Sequence, residues 1–191
     1  MPFSLTLLAY LASNFAYSFW LKHHVILDVF LIANGFVLRA IGGVLLVRQL
    51  DPDVLLSPWL LVCTFFGALF LAVGKRRREM VNAGSAASGQ RSVLRQYTPE
   101  LLETMLTVSA ACTLLTYALY TIWPGTVAKF HTEALLYTVP IVAYGVFRYL
   151  HLIRASETSE DPSTVLLSDR PIQATVVLYL LAVLWILYLA R

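Results

Sequence analysis

Charge is scarce in this chain. Asp, Glu, Lys and Arg make up 13% of its 191 residues against 59% hydrophobic ones, with a mean hydropathy of +0.72. A soluble domain of that composition would aggregate, so a water-soluble globule is excluded and the chain is an integral membrane protein. The apolar runs do not alternate with polar residues, which excludes barrel strands. Cysteine is nearly absent: Cys63 and Cys112 both fall inside apolar runs, where the residue packs as a small side chain, and neither a disulfide framework nor a zinc site follows. No nucleophile-and-base set, Walker loop or dinucleotide fingerprint occurs. The opening segment has no basic n-region and no small-residue cleavage site, so it does not read as a signal peptide. The formal net charge of +3 gathers on one side of the membrane, which speaks for anionic lipids or phosphates and not for nucleic acid.

A bilayer core takes about 20 apolar residues of helix. Six segments qualify, at residues 2–20, 25–47, 54–74, 101–123, 134–153 and 171–190. The expected fold is all-α, a polytopic bundle of six transmembrane helices forming one domain over residues 1–191. Laid in alternation, the helices put Lys22, Lys75, Arg76, Arg77, Arg78, Arg91, Arg95, Arg148, Arg154 and Arg170 on one side. Arg48, Lys129 and Arg191 fall on the other, and Arg39 lies within a helix. The side rich in cations should face the cytoplasm, which places the first residue outside.

The connections differ in character. Leu21-Lys22-His23-His24 is short enough to make its two helices neighbours. The connection over residues 75–100 is the longest. Its small-residue stretch 82–89 predicts a mobile loop, and residues 91–97 predict a short interfacial helix. The connection 154–170 is acidic, and Glu157, Glu160 and Asp161 read as solvated loop residues, not as metal ligands. Asp51-Pro52-Asp53 and Trp123-Pro124-Gly125 are turn sequences at the opposite side.

Polar residues within or beside the apolar runs are the candidates for chemistry. After Gly74 the sequence reads Lys75-Arg76-Arg77-Arg78-Glu79. Such a run can anchor a helix end at an anionic leaflet or hold a phosphorylated ligand. In the second helix Asp28, Gly35, Arg39 and Gly42 fall within about 60° of one another at ~100° per residue. Ionisable groups cost several kcal/mol in lipid, so this stripe must face protein, water or a ligand, unless Arg39 snorkels outward. The fifth helix carries Tyr137, Tyr144, Arg148 and His151 on one face, with Pro140 expected to bend it and open space. Ser168-Asp169-Arg170-Pro171 reads as an N-cap with proline in the opening turn, a role compatible with ligand contact.

Several of these residues sit in motifs that resemble the UbiA-type membrane prenyltransferases, typified by 4-hydroxybenzoate polyprenyltransferases. More closely they resemble the branch of decaprenyl-phosphate phosphoribosyltransferases. Tyr17-Ser18-Phe19-Trp20-Leu21-Lys22 is similar to the family's YSxxLK, and Gly35-Phe36-Val37-Leu38-Arg39-Ala40-Ile41-Gly42-Gly43 to GFxLRxxAG. Gly74-Lys75-Arg76-Arg77 with Glu79, Val93-Leu94 with Tyr97, and Asp169-Arg170-Pro171 follow in family order across nearly the whole chain. The resemblance implies a fold of about nine helices, of which the six here match the last six. The family's NDxxDxxxD motif, which binds Mg2+ with the donor diphosphate, belongs to the three helices not matched. The superfamily's second acidic motif, DxxxD, is replaced here by residues 75–79, which exchanges metal-mediated phosphate binding for direct charge-assisted bonds.

That exchange points to the phosphoribosyl branch, in which a 5-phosphoribosyl group passes from 5-phosphoribosyl 1-diphosphate to a polyprenyl (decaprenyl) phosphate for cell-envelope polysaccharide precursors. The resemblance implies phosphate contacts from Lys22, Lys75, Arg76 and Arg77, an orienting hydroxyl from Tyr17 and a positioning carboxylate from Glu79. Arg78 is the cation of the run left to the lipid headgroups. Asp28, Arg39, Arg148, His151, Asp169 and Arg170 are the further substrate-binding candidates. Mg2+ is the implied cofactor, with no ligand for it expected in this chain. The chain alone is expected to be inactive: a fragment, one half of a split enzyme needing an N-terminal half-protein, or a decayed relative. A lipid-binding scaffold without activity is the rival reading, and a prenyltransferase acting on an aromatic acceptor is a third, disfavoured by the cations. The expected location is the inner (plasma) membrane with the site facing the cytoplasm.

The charge asymmetry sets a topology that can be measured. In a cysteine-free variant carrying either Gly89→Cys or Gly125→Cys, an impermeant thiol reagent applied to intact cells should label only the second. Reversed labelling overturns the orientation.

Overall fold

The computed structural model describes residues 2–52, 54–82, 92–155 and 168–189. Within them all regular structure is helical. The α-helices are α1 (Pro2–Phe19), α2 (Leu27–Val47), α3 (Pro58–Asn82), α4 (Pro99–Ile122), the short α5 (Pro124–Phe130), α6 (Val139–Ala155) and α7 (Arg170–Leu189). Three 3-10 turns, Leu21–His23, Ser92–Gln96 and Ala134–Thr138, punctuate them. Residues 83–89 and the carboxylates of Glu157, Glu160 and Asp161 lie outside the described residues. Five segments are long and apolar enough to cross a membrane: α2, Pro58–Val81, α4, Ala134–Ala155 and α7. With α1, a sixth long helix of 18 residues, the chain is an all-α polytopic membrane bundle.

The helix ends follow from local chemistry. Thr98-Pro99-Glu100 starts α4: the Thr98 hydroxyl accepts from the Leu101 N–H at 3.2 Å, proline fills the first turn and a carboxylate sits there. Ser57 precedes Pro58 at the start of α3 in the same way, accepting from the Leu60 N–H at 3.4 Å. That start is four residues later than the apolar run suggests, and α3 continues two turns beyond Gly74, so the basic run is helical. Lys, Arg and Glu are good helix formers, and Arg76 pairs with Glu79 one turn on. Pro140 does not bend a helix interior. A 3-10 turn precedes it and α6 begins at Val139, where the missing N–H of proline costs nothing.

α3 is the central helix, packed along α4 on one side and α2 on the other, with α1 outside α2. α6 and α7 pair with each other and meet the rest mainly through α4 and the end of α3. The core between these elements holds Val29, Ala33, Leu69, Val73, Leu102, Leu106, Tyr149 and Ile153. Residues 92–97 join this core. Val93, Leu94 and Tyr97 are all at most 5% exposed, so the segment expected to lie on the interface is instead plugged into the mouth of the bundle. Its three apolar side chains gain more from burial among helices than from a headgroup layer.

The tightest crossing is at Gly74, where α6 runs so close that a Cβ would stand 2.6 Å from Ile153 Cδ1 and 3.1 Å from the Tyr149 hydroxyl. Both neighbours are buried and have little room to move. Gly74→Val should therefore destabilise the folded protein by about 1–3 kcal/mol through overpacking. Gly43→Val, at a position with nothing within 4 Å of the added Cβ, should not. Thermal unfolding in detergent compares the two, and equal melting temperatures would refute the close crossing.

Candidate functional site

The cation-rich end of the bundle is built where α2 and α4 begin and α3 and α6 end. Asp28 lies in the first turn of α2, where a helix N-terminus favours a carboxylate. It is fully buried and accepts from two donors: Arg76 Nε on α3 at 2.7 Å and the Tyr97 hydroxyl at 2.6 Å. The Tyr97 oxygen in turn accepts from the Ile26 N–H at 2.8 Å. Ile26 has φ 72°, a left-handed value that costs a β-branched residue about 1–3 kcal/mol, and the tyrosine bond holds it there. Burial pushes the Tyr97 hydroxyl well above the ordinary tyrosine range, and donation to the Asp28 carboxylate adds to that, so it remains a donor.

Arg76, 2% exposed, gives its Nη1 to Glu79 at 2.5 Å, so one buried guanidinium joins two carboxylates. Arg77 and Arg78 reach the last turn of α6, where a helix end calls for donors from outside. Arg77 Nη1 donates to the Ile153 carbonyl at 2.5 Å and Arg78 Nη2 to that of Leu152 at 3.1 Å. Arg77 Nε also bonds Glu103 on α4. Glu103 takes Arg154 on its other oxygen, with Nη2 at 2.9 Å. Three guanidinium groups, Arg76, Arg77 and Arg154, thus meet three carboxylates, Asp28, Glu79 and Glu103, and Arg78 beside them leaves the cluster net positive.

The sequence candidates separate into three places. Asp28, Arg76, Arg77 and Glu79 come together in this network. Tyr17 is half-buried near the end of α1, and Lys22 is exposed in the adjoining 3-10 turn. That turn is tied to residues 92–96 by Gln96 Nε2 donating to the His23 carbonyl at 3.2 Å. Lys75 is exposed on α3 beside Arg76. Arg148 makes a two-pronged bond to Asp169, at 2.8 and 3.3 Å, and Asp169 also caps α7 by accepting from the Ile172 N–H at 2.9 Å. Arg148 is the main reason that the Asp169 carboxyl is held below the usual range. His151 and Arg170 are exposed.

Arg39 is elsewhere, about 16 Å along α2 from Asp28 at the standard rise. It donates to the Tyr10 hydroxyl on α1 at 2.7 and 3.2 Å and stacks over the rings of Tyr10 and Phe36. The polar stripe on α2 therefore serves two different neighbours. Arg78 also departs from expectation: it is 3% exposed and bonds α6, because the helix continues past Gly74 and turns this side chain inward. Tyr97, Glu103 and Arg154 are members that the sequence reading left out. Glu103, a carboxylate one turn inside an apolar helix, carries a legible signal, whereas Tyr97 stands in the sequence only as part of a motif, with no role assigned to it.

Among the described residues no three His, Cys, Asp or Glu side chains stand close enough to hold a metal ion. Asp28 and Glu79 are bridged by a guanidinium whose charge opposes a cation there. The described residues do not fit a Mg2+ site.

The Asp28–Arg76 contact predicts a coupled response. Asp28→Leu alone takes from the buried guanidinium the buried one of its two carboxylates and should cost about 3–5 kcal/mol, and Arg76→Met alone should cost a similar amount. The double variant should recover most of the loss, because two apolar side chains then fill the space. Unfolding in mixed detergent micelles measures the cycle, and simple additivity would show that the two residues act separately.

No family model matches the chain. It is similar to curated proteins named decaprenyl-phosphate phosphoribosyltransferase. With that of Mycolicibacterium smegmatis it is 31% identical over 176 residues, 89% of this chain and 54% of the relative. With that of Mycobacterium tuberculosis it is 30% identical over 187 residues, 96% of this chain and 56% of the relative. With that of Corynebacterium glutamicum it is 28% identical over 183 residues, 94% of this chain and 52% of the relative. The chain thus spans about half the length of the curated relatives it matches, and within that span it is a relative of the decaprenyl-phosphate phosphoribosyltransferases.

Proposed function

We propose that this chain supplies the cation-rich half of a phosphoribosyl transferase. In that reaction a 5-phosphoribosyl group passes from 5-phosphoribosyl 1-diphosphate to a polyprenyl phosphate at the cytoplasmic face of the inner membrane. The observation that carries the reading is the end of the bundle itself: guanidinium groups fixed by carboxylates and helix carbonyls, with Lys22 and Lys75 exposed at the same end. A phosphate oxygen of the lipid attacks the anomeric carbon of the ribose. The bond from that carbon to the diphosphate breaks, and the electron pair leaves with the diphosphate.

An anionic phosphate needs no general base, so the demand falls on positive charge placed beforehand at the leaving group and on bringing two anions together. Lys22, Lys75 and the partly open Arg77 are the phosphate contacts. Arg76, closed between Asp28 and Glu79, is the positioning residue that sets the end of α3. Arg148, Asp169, His151 and Arg170 form a flank by which a second phosphate is steered, and Tyr17 orients the lipid phosphate near Lys22. The carboxylates for Mg2+ would come from a companion segment, since the described residues offer no such set.

One observation favours a second reading, a scaffold that binds polyprenyl phosphate without transferring to it: Arg76 and Arg77 are already bonded to protein acceptors. Reconstitution separates the two. Vesicles containing decaprenyl phosphate, the chain and labelled 5-phosphoribosyl 1-diphosphate should give no labelled lipid. Addition of an N-terminal three-helix half taken from a full-length relative should start transfer, and Lys75→Gln should then weaken donor binding by about tenfold. Transfer by the chain alone would show that the metal site is misplaced, and lipid binding without transfer in the completed bundle would favour the scaffold.

A further inference from the structure

Arg39 lies deep in the span of α2, about 18 Å of helix from Leu27 and about 12 Å from Val47 at ~1.5 Å per residue. Its side chain leans further inward, because the Cα–Cβ bond of a helical residue tilts toward the helix N-terminus, here the more distant end. The Tyr10 hydroxyl that it bonds confirms the direction. The Tyr10 ring stands beside Gly35, one turn nearer the middle of α2, where an added Cβ would be 3.8 Å from Tyr10 Cε2. The charge is therefore close to mid-span. Its partners among the described residues are a neutral hydroxyl and the rings of Tyr10 and Phe36, and the side chain is exposed. A cation at that depth is costly in hydrocarbon. The surface around it is shaped to receive something: a groove of about 350 Å³ runs between α1 and α2, lined by Phe3, Leu7, Tyr10, Arg39, Gly42 and Gly43. Gly43 is exposed, and a Cβ added there meets nothing within 4 Å. Bare backbone of that kind lets another helix come close.

We infer that this groove docks a transmembrane helix of a companion segment, one that places an Asp or Glu at mid-span against Arg39. Charge selects the occupant. A second copy of this chain cannot supply the carboxylate, because none of its 11 acidic residues falls near the middle of an apolar run. A lipid phosphate stays at the headgroup level beyond the nearer end of α2, and the guanidinium leans away from that end. A helix that crosses the bilayer can carry a carboxylate at the required depth. The bonds to Tyr10 come from Nε and Nη2, which leaves Nη1 for the ionised carboxylate and a charge-assisted bond. The docking does not rest on the transfer reaction, since the groove and the arginine network lie at different levels of α2.

Synthetic leucine-rich transmembrane peptides with Glu, Gln or Leu at the central position are the probes. The full chain, donor-labelled and reconstituted in phosphatidylcholine vesicles, would be titrated with each acceptor-labelled peptide, and energy transfer reads the association. The Glu peptide should associate about tenfold more tightly than the Leu peptide, with the Gln peptide between them. Arg39→Met should abolish the preference for Glu. Gly43→Val, which fills the groove without touching the rest of the chain, should weaken the Glu peptide several-fold while Arg39 is intact. Circular dichroism verifies that both variants keep their helices. Equal association of the three peptides, or a preference unchanged in Arg39→Met, overturns the site. Gln as effective as Glu would show that charge is not what the groove reads and overturns it too. A preference lost when phosphatidylglycerol replaces part of the phosphatidylcholine would make a lipid phosphate the occupant and refute the helix.

Discussion

The contact between Asp28 and Arg76 is the constraint on which the rest of this end of the molecule depends. Both side chains are buried, and each oxygen of the carboxylate accepts one of these bonds, Oδ2 from Arg76 and Oδ1 from Tyr97. Such a pair contributes little net stability, because the loss of water around two charges nearly offsets their attraction. What it fixes is position. The start of α2 is set against the end of α3, and residues 92–97 are fastened to both. The strained backbone at Ile26 persists because the tyrosine that bonds Asp28 also bonds the Ile26 N–H. Removal of the carboxylate would therefore release a helix start, a helix end and a connecting segment together.

Arg77 and Arg78 extend the same logic to α6. A helix ending inside a bundle leaves carbonyls that must find donors, and the basic run supplies them to Leu152 and Ile153. Two of the four consecutive cations are thus spent on holding α6 and one on holding α2. The anchoring and ligand-binding readings of the run cease to be alternatives, since the buried guanidiniums are what place the exposed cations Lys22 and Lys75 at the mouth.

How much of this was legible in the sequence depended on whether a residue's partner is local. The helices were plain, because hydropathy over 20 residues is a local property. Thr98-Pro99 and Ser168-Asp169-Arg170-Pro171 were legible as starts for the same reason. The end of α3 was misplaced because the apolar run stops at Gly74 while helix-forming Lys, Arg and Glu continue it. Helical periodicity put Asp28 and Arg39 on one face correctly, yet it gave no sign that one meets α3 and the other α1. The burial of Val93, Leu94 and Tyr97 was hidden because it depends on how a long connection returns to the bundle, which no window of sequence contains.

Polar residues also carry the information that apolar area cannot give in a membrane. α1 and α7 expose Leu5, Leu8, Phe15, Leu180, Leu184 and Trp185 broadly, and lipid satisfies such faces as well as protein does. Exposure there does not mark an interface, as it would in water. The informative groups are those that lipid cannot satisfy. Arg76 found two carboxylates and Arg148 one, while Arg39, mid-span, has a tyrosine hydroxyl and two ring faces as its partners among the described residues. A guanidinium in hydrocarbon is stabilised less by rings and a neutral oxygen than by a carboxylate. The degree to which each cation is neutralised therefore distinguishes the arginine network, whose charges are nearly balanced, from Arg39 between α1 and α2, which has no carboxylate beside it among the described residues.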